Sequence, residues 1–297
     1  MVLVPTYTDP FQYRRAPTGL ESDSLVGNLT RLSGSVALGA TALPVSPATT
    51  IYLAVDDQIT IFDGANSEVV TVTATTNTGS TSIPVSATLA THAAKTVICS
   101  NGTQGSLADM IVDAGGWLEN ICQQPRWQAT FTEQLKQPSM RAAVDVNGAV
   151  VLRPRRFPVT SLSSISYQTD PTNVVPLSTA YATLEPQLVT LPILAAVGGT
   201  QGNMALVTRP MSRNTPVWYN LTYVAGYAPG TIPGHVIEAG MCLVSALIAD
   251  RQNPTGAAEV QMGKRHLVAY LRGDTSGKVG LVKRAEMLLR NEQQRPI

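Results

Sequence analysis

A helix that is apolar on nearly every side sits at residues 236 to 248, and any fold that contains it must cover it all round. It is fed by a β-like run, Trp218-Tyr-Asn-Leu-Thr-Tyr-Val224, in which Trp218, Asn220, Thr222 and Val224 alternate with Tyr219, Leu221 and Tyr223. That period of two is the signature of a half-buried strand. Gly226 and Gly230 suit a turn that needs positive φ, and Pro233 suits the first helical position. Beyond it Val236, Ile237, Met241, Leu243, Val244, Leu247 and Ile248 occupy nearly every face, which points to a deep core position or a subunit interface. A membrane span is excluded for this helix, because the stretch falls short of the ~20 residues needed and carries Glu238 before ending at Asp250 and Arg251.

At 297 residues the chain has room for two ordinary domains. Charged residues make up only 14% of it, against about 25% in a typical soluble domain, so much of the surface is expected to face other protein. A net charge of +1 argues against a dedicated nucleic-acid binder, whose affinity needs a clustered excess of Lys and Arg. Cys99, Cys122 and Cys242 are odd in number and far apart, which predicts buried thiols and neither a disulfide framework nor a Cys-x-x-Cys metal site. The opening Met1-Val-Leu-Val-Pro5 lacks the basic start and long apolar region of a secretory signal.

Residues 33–103 read as a separate β-module, with runs at Ile51-Tyr-Leu53, Gln58-Ile-Thr-Ile-Phe62 and Glu68-Val-Val-Thr-Val72 and turns at Asp63-Gly64 and Thr78-Gly79. Within it Gly39-Ala-Thr-Ala-Leu-Pro-Val-Ser46 is echoed by Gly79-Ser-Thr-Ser-Ile-Pro-Val-Ser86. Two copies are too few for a solenoid, so a small barrel or sandwich with two equivalent strands is expected, each Pro starting or edging its strand. Ser106, with Asp109 three residues on, predicts a helix start, and Leu107, Met110, Ile111, Ala114, Leu118 and Ile121 keep a helical period until Pro125. Gly115 and Gly116 inside that helix each cost about 1 kcal/mol relative to Ala, so a close neighbour, most simply another helix, is expected there.

From residue 128 to 224 the pattern returns to strands, with Asn147-Gly148 as a hairpin turn and further runs at 188–191 and 205–207. Residues 257–272 fit a helix or a flexible hairpin equally. Past Gly280, Leu281, Val282, Ala285, Leu288 and Leu289 recur at helical spacing, with Lys283, Arg284 and Arg290 elsewhere around the helix.

Catalytic machinery appears only as near misses. Gly273-Asp-Thr-Ser-Gly277-Lys278 is one residue short of a phosphate-binding loop, and Val279 stands where Ser or Thr would hold magnesium. Gly198-Gly-Thr-Gln-Gly202 lacks a following helix. His92, His235 and His266 lie far apart with no partner at metal-ligand spacing, and are expected at the surface or as satisfied core residues. Asp63, Asn66 and Glu68 could offer oxygens to calcium, but the ligand ladder is too short, so a β-turn followed by an exposed Glu is the safer expectation. No Gly-x-Ser-x-Gly elbow occurs. No enzyme activity, cofactor or metal is therefore expected.

The order of parts from Leu107 onward resembles the head-to-tail adaptor, or connector, proteins of long-tailed double-stranded DNA bacteriophages. It runs from the helix at 107–122 through Trp127-Gln-Ala-Thr-Phe-Thr-Glu133, a hairpin ending Val151-Leu-Arg-Pro-Arg-Arg-Phe-Pro-Val159 and Ser161-Leu-Ser-Ser-Ile-Ser-Tyr167. Thr222-Tyr-Val-Ala-Gly-Tyr227 and Ile232-Pro233 then lead into the long helix. Tyr7-Thr-Asp-Pro-Phe-Gln-Tyr13 and Ala16-Pro-Thr-Gly19 also look like openings of such adaptors from phages of actinobacteria. No motif is specific alone, and the β-module departs from the pattern.

The elements add up to an α+β protein, with helices at 107–123, 233–252 and 280–292 and a β region at 128–226; the resemblance makes 1–32 and 104–297 an adaptor core and 33–103 an inserted small barrel or sandwich. It also implies a non-enzymatic ring of roughly twelve identical subunits in the virion neck, assembled in the host cytoplasm. The ring would sit between the portal protein and a stopper or tail-completion protein, passing double-stranded DNA without sequence preference and touching no membrane. Val236, Ile237, Met241, Val244, Leu247 and Ile248 would pack between subunits, and Leu281, Val282, Ala285, Leu288 and Leu289 would dock on the portal. Arg153, Arg155 and Arg156, the densest basic cluster, could face DNA, pair with acids on the next subunit or sit in a solvated loop. The rival readings are a stopper or tail-completion ring, and a β-module that binds carbohydrate or a capsid partner; the three tryptophans all lie outside the module, which weakens the sugar case.

Overall fold

The computed structural model describes residues 3–15, 23–103, 105–137, 139–145, 149–170, 173–180, 182–191, 217–228, 230–252, 257–262, 265–270, 278–290 and 292. It is an α+β fold, as the pattern of elements predicts. The chain divides into two compact units, the first built from Met1–Gln123 with Ile232–Gln293 and the second from Gln124–Thr231. The division differs from the expected one. The β-module joins the three long helical segments in the first unit, and the β region expected inside the adaptor core forms the second by itself.

In the first unit the short helix α1 (Pro10–Arg15) precedes β1 (Val26–Arg31), β2 (Ala42–Pro44), β3 (Gln58–Phe62), β4 (Glu68–Thr71), β5 (Ser82–Pro84) and β6 (Val97–Asn101). A four-stranded antiparallel sheet of order β1-β6-β3-β4 and a two-stranded ribbon of β2 and β5 share one core, which includes Leu43, Ile59, Ile61, Val70, Ile83 and Ile98. That is the sandwich alternative, and no closed barrel occurs among the described residues. The module begins at β1, before the expected boundary at residue 33, because β1 supplies an edge of the sheet. Ile51-Tyr-Leu53 contributes only a single bridge, from Leu53 to Thr76.

The duplicated sequences pair with each other. Leu43 lies opposite Ile83, its own counterpart, and Thr60 lies opposite Cys99 in the same relation. The hydrogen bonds repeat across this local two-fold: Ser46 N to Arg31 O and Ser86 N to Thr71 O are both 2.8 Å, while Gly39 N to Thr88 O at 2.9 Å matches Gly79 N to Thr49 O at 2.8 Å. Gly39 and Gly79 have φ of 79° and 88°, a backbone region that disfavours a Cβ. Pro44 and Pro84 end their short strands at the margin of the ribbon, where a missing N–H costs nothing.

Helix α2 (Leu107–Cys122) starts as expected: the Ser106 hydroxyl accepts from Asp109 N at 3.0 Å. Gly115 does have a close neighbour, but it is the N-terminal segment, since an added Cβ would lie 2.8 Å from the Pro5 carbonyl oxygen. Gly116 faces open space, so the expectation of a packed neighbour fails there. Helix α3 (Gly234–Gln252) begins one residue later than anticipated. Pro233 caps it from outside, its carbonyl accepting from Val236 N at 3.0 Å.

The second unit contains β7 (Ala129–Gln137), β8 (Ala142–Val144), β9 (Val150–Leu152), β10 (Val159–Asp170), β11 (Asn173–Leu177), β12 (Thr183–Glu185), β13 (Leu188–Leu191) and β14 (Val217–Ala225). Two four-stranded antiparallel sheets, β11-β10-β14-β7 and β12-β13-β9-β8, share a core that includes Leu135, Leu152, Ile165, Val189, Leu221 and Tyr223. β14 buries Tyr219, Leu221, Tyr223 and Ala225 and leaves the residues between them half-covered, as its alternation predicts. β8 and β9 form the expected hairpin; its turn at 147–148 lies outside the described residues, as do the run at 205–207 and both glycine-rich stretches at 198–202 and 273–277.

The ambiguous stretch after α3 resolves as a hairpin of β15 (Ala257–Met262) and β16 (Arg265–Tyr270). Helix α4 (Lys278–Leu288) follows and packs on α3, which also packs on α2.

Candidate functional site

In the first unit the six residues of α3 expected between subunits divide into two sets. Val236, Val244 and Ile248 are at most 1% exposed, so the chain itself covers them and they need no neighbour. Ile237, Met241 and Leu247 stay half-buried. Helix α4 divides in the same way: Leu281, Ala285 and Leu289 turn into the chain's own core, while Val282 and Leu288 are half-buried. The apolar residue that α4 presents most openly is Met287, 78% exposed, which the helical pattern had not singled out because it lies off the main stripe. Arg284 of α4 pairs with Glu238 of α3, and His235 Nε2 lies 3.0 Å from Glu292 Oε1. These two links fix the outer surface of the helix pair.

In the second unit the basic segment is a built loop. Glu133 on β7 accepts from the Arg155 backbone N–H at 2.9 Å and from Tyr223 OH at 3.0 Å, and its other oxygen pairs with Arg141 at 3.2 Å. Tyr223 OH in turn receives the Arg156 backbone N–H at 3.2 Å, and burial, with the Glu133 charge second, pushes its phenol pKa up. The Arg156 guanidinium lies 5.8 Å from the Phe131 ring centroid. Arg153 and Arg155 are exposed. The loop therefore holds two of the three expected cations outward on an ordered backbone and uses the third for packing.

Sequence reasoning missed Arg126. It is wholly buried, donates to the Phe157 carbonyl at 3.1 Å and to Tyr227 OH at 3.4 Å, and stacks on both rings at 5.3 and 5.2 Å. Only its flanking residues, Pro125 and Trp127, hinted at a packed position.

His92 is a satisfied core residue, one of the two alternatives expected of it. It is 0% exposed, with Nδ1 3.0 Å from Asp63 and Nε2 2.6 Å from Glu68, itself fully buried. The expected exposed Glu after a β-turn is thus a buried partner, and its second oxygen accepts from Leu89 N at 2.8 Å. Burial lowers the His92 pKa, yet the two carboxylates outweigh it and the net shift is upward. His92 stands where the first copy of the repeat has Leu53, so periodicity alone predicts an apolar residue there. The side chain of His266 lies outside the described residues.

All three thiols are buried as expected, and burial raises Cys99 to about 12 and Cys242 above its ordinary value. Among the described residues, no group of three or more His, Cys, Asp or Glu side chains is arranged to hold a metal ion. No described helix is long and apolar enough to cross a membrane.

No family model and no curated protein matches the chain. Among solved structures it is similar to a chain of one described as "Neck of empty GTA particle computed with C6 symmetry", with a TM-score of 0.32 and 12% identity, covering 64% of this chain and 78% of that one.

Proposed function

We propose that this chain is a structural, non-enzymatic protein of a phage neck, a head-to-tail adaptor that seats on the portal as a ring and extends the DNA channel toward the tail. The observation that carries the reading is apolar surface left uncovered on the paired helices. Met287 of α4 is 78% exposed, and Val282 and Leu288 of α4 and Ile237, Met241 and Leu247 of α3 are half-buried. The order of parts shared with the adaptor family supplies the partner. An amphipathic helix laid in a groove is the physical mode of docking, and recurrent identical contacts close a ring. The ordered loop at Arg153 and Arg155 adds a diffuse positive band that guides DNA without reading its sequence.

Met287→Glu combined with Leu288→Gln tests the reading. The first side chain is exposed and the second only half-buried, so the variant stays folded. It is expected to lose binding to the purified portal in pull-down or sedimentation, and unchanged binding removes α4 from the interface.

A further inference from the structure

We infer that the β-module carries a docking groove for an extended peptide of another protein chain, one that presents a lysine or arginine. This inference is independent of the neck reading. It rests on the local two-fold of the module and on the fact that, among the described residues, the N-terminal segment pairs with one of its two equivalent ends.

At the filled end Leu3 bridges Glu68 on the outer edge of β4, Val4 N donates to Ser67 O at 2.7 Å and Thr6 N donates to Gly64 O at 3.0 Å. The Thr6 and Ser67 hydroxyls lie 2.7 Å apart. Pro5, between the two donors, has no N–H to place, which suits a strand paired on one side only. The segment lies along Ser67 and Glu68, and Glu68 in turn holds the buried His92.

The two-fold carries these onto Asn28, Gly27 and Leu53 at the other edge, that of β1. There an open pocket of about 360 Å³ is lined by Val26, Gly27, Tyr52, Leu53, Asp57 and Gln58, among others. Asn28, next to Gly27, has its side-chain oxygen taken by Thr50 N at 2.8 Å, while its buried Nδ2 has no hydrogen-bond partner among the described residues. That amide is the inward-facing counterpart of the Glu68 carboxylate, and the edge beside the pocket is formed by Gly27, the counterpart of the Ser67 whose carbonyl the N-terminal segment binds.

The two ends differ in charge, which sets the chemistry of the occupant. Asp56 and Asp57 at the open end stand where Lys95 and Thr96 stand at the other; Asp56 and Lys95 share a φ of 71°, so the backbone is the same and only the side chains change. Asp57 lines the pocket and is exposed, and Tyr52, 56% exposed, offers a ring face beside it. A carboxylate next to an aromatic face selects a cation.

Two labelled peptides titrated against the full-length protein by fluorescence anisotropy test the groove: Leu-Val-Pro-Thr-Lys, copying the segment seen at the filled end with a cation added, and Leu-Val-Pro-Thr-Glu. The lysine peptide is expected to saturate with a Kd on the order of 10 μM to 1 mM, and the glutamate peptide to bind at least about fivefold more weakly. Asp57→Asn, whose amide oxygen can still accept from Ala54 N as Asp57 does, and Tyr52→Ala should each weaken the lysine peptide about fivefold or more, with Tyr52→Phe retaining it. Lys95→Glu at the opposite end should leave binding unchanged. Absence of saturation, equal binding of both peptides that neither pocket substitution moves, or saturable binding of maltoheptaose with no peptide bound would each overturn the proposal.

Discussion

His92 shows most plainly how one side chain departs from the pattern around it. An imidazole bonded at both nitrogens to carboxylates is stabilised in its protonated form, and its folded pKa lies above the unfolded 6.5. The sign follows: its stabilising contribution is full below pH 6.5 and is lost as pH rises through the folded value. Denaturation midpoints measured from pH 5 to 9 should therefore fall on the alkaline side, and His92→Gln should flatten that slope while costing about 3 kcal/mol at pH 6 by leaving Glu68 buried without its cation. A slope unchanged in the variant would assign the pH dependence elsewhere. Arg153→Ser with Arg155→Ser should shift stability by less than about 0.5 kcal/mol, since both are exposed, whereas Arg156→Ser should cost about 1 kcal/mol through its lost contact with Phe131. If the pair lines the channel, filled heads carrying it should retain less DNA, and unchanged retention would place those arginines elsewhere. None of these environments was legible from spacing, because Asp63, Glu68 and His92 meet through strand pairing and not through proximity in sequence.

Among the elements, what periodicity encodes was read correctly: the strand at 217–225, the helices at 107–122 and 234–252, the pairing of β8 with β9 and the repeat at 39–46 and 79–86 all stand. What it could not encode is which neighbour each face meets. Helix α3 is apolar all round, and the chain's own helices α2 and α4 cover one part of it, so Val236, Val244 and Ile248 are core residues while Ile237, Met241 and Leu247 are not. The same ambiguity held for the two glycines of α2, and it yields a paired prediction of opposite sign. Gly116→Ala meets nothing within 4 Å and should stabilise by about 1 kcal/mol through helix propensity. Gly115→Ala sets a methyl 2.8 Å from the Pro5 carbonyl and should destabilise by roughly 1 to 3 kcal/mol. Urea denaturation of the two variants decides this, and equal effects would mean that the N-terminal segment does not press on α2 as described.

For the whole molecule, the proposed neck role requires binding energy spread over protein surfaces and not focused in a reactive cleft. The low charge content, the apolar residues of α3 and α4 that the chain leaves partly or fully exposed, and the order of parts all bear on this, and none of them depends on an individual catalytic group. Mass photometry of the purified chain, alone and mixed with the portal, tests it most directly. A small species is expected alone, and with the portal a complex whose added mass is a fixed ring of copies. A chain that stays monomeric beside an intact portal would contradict it.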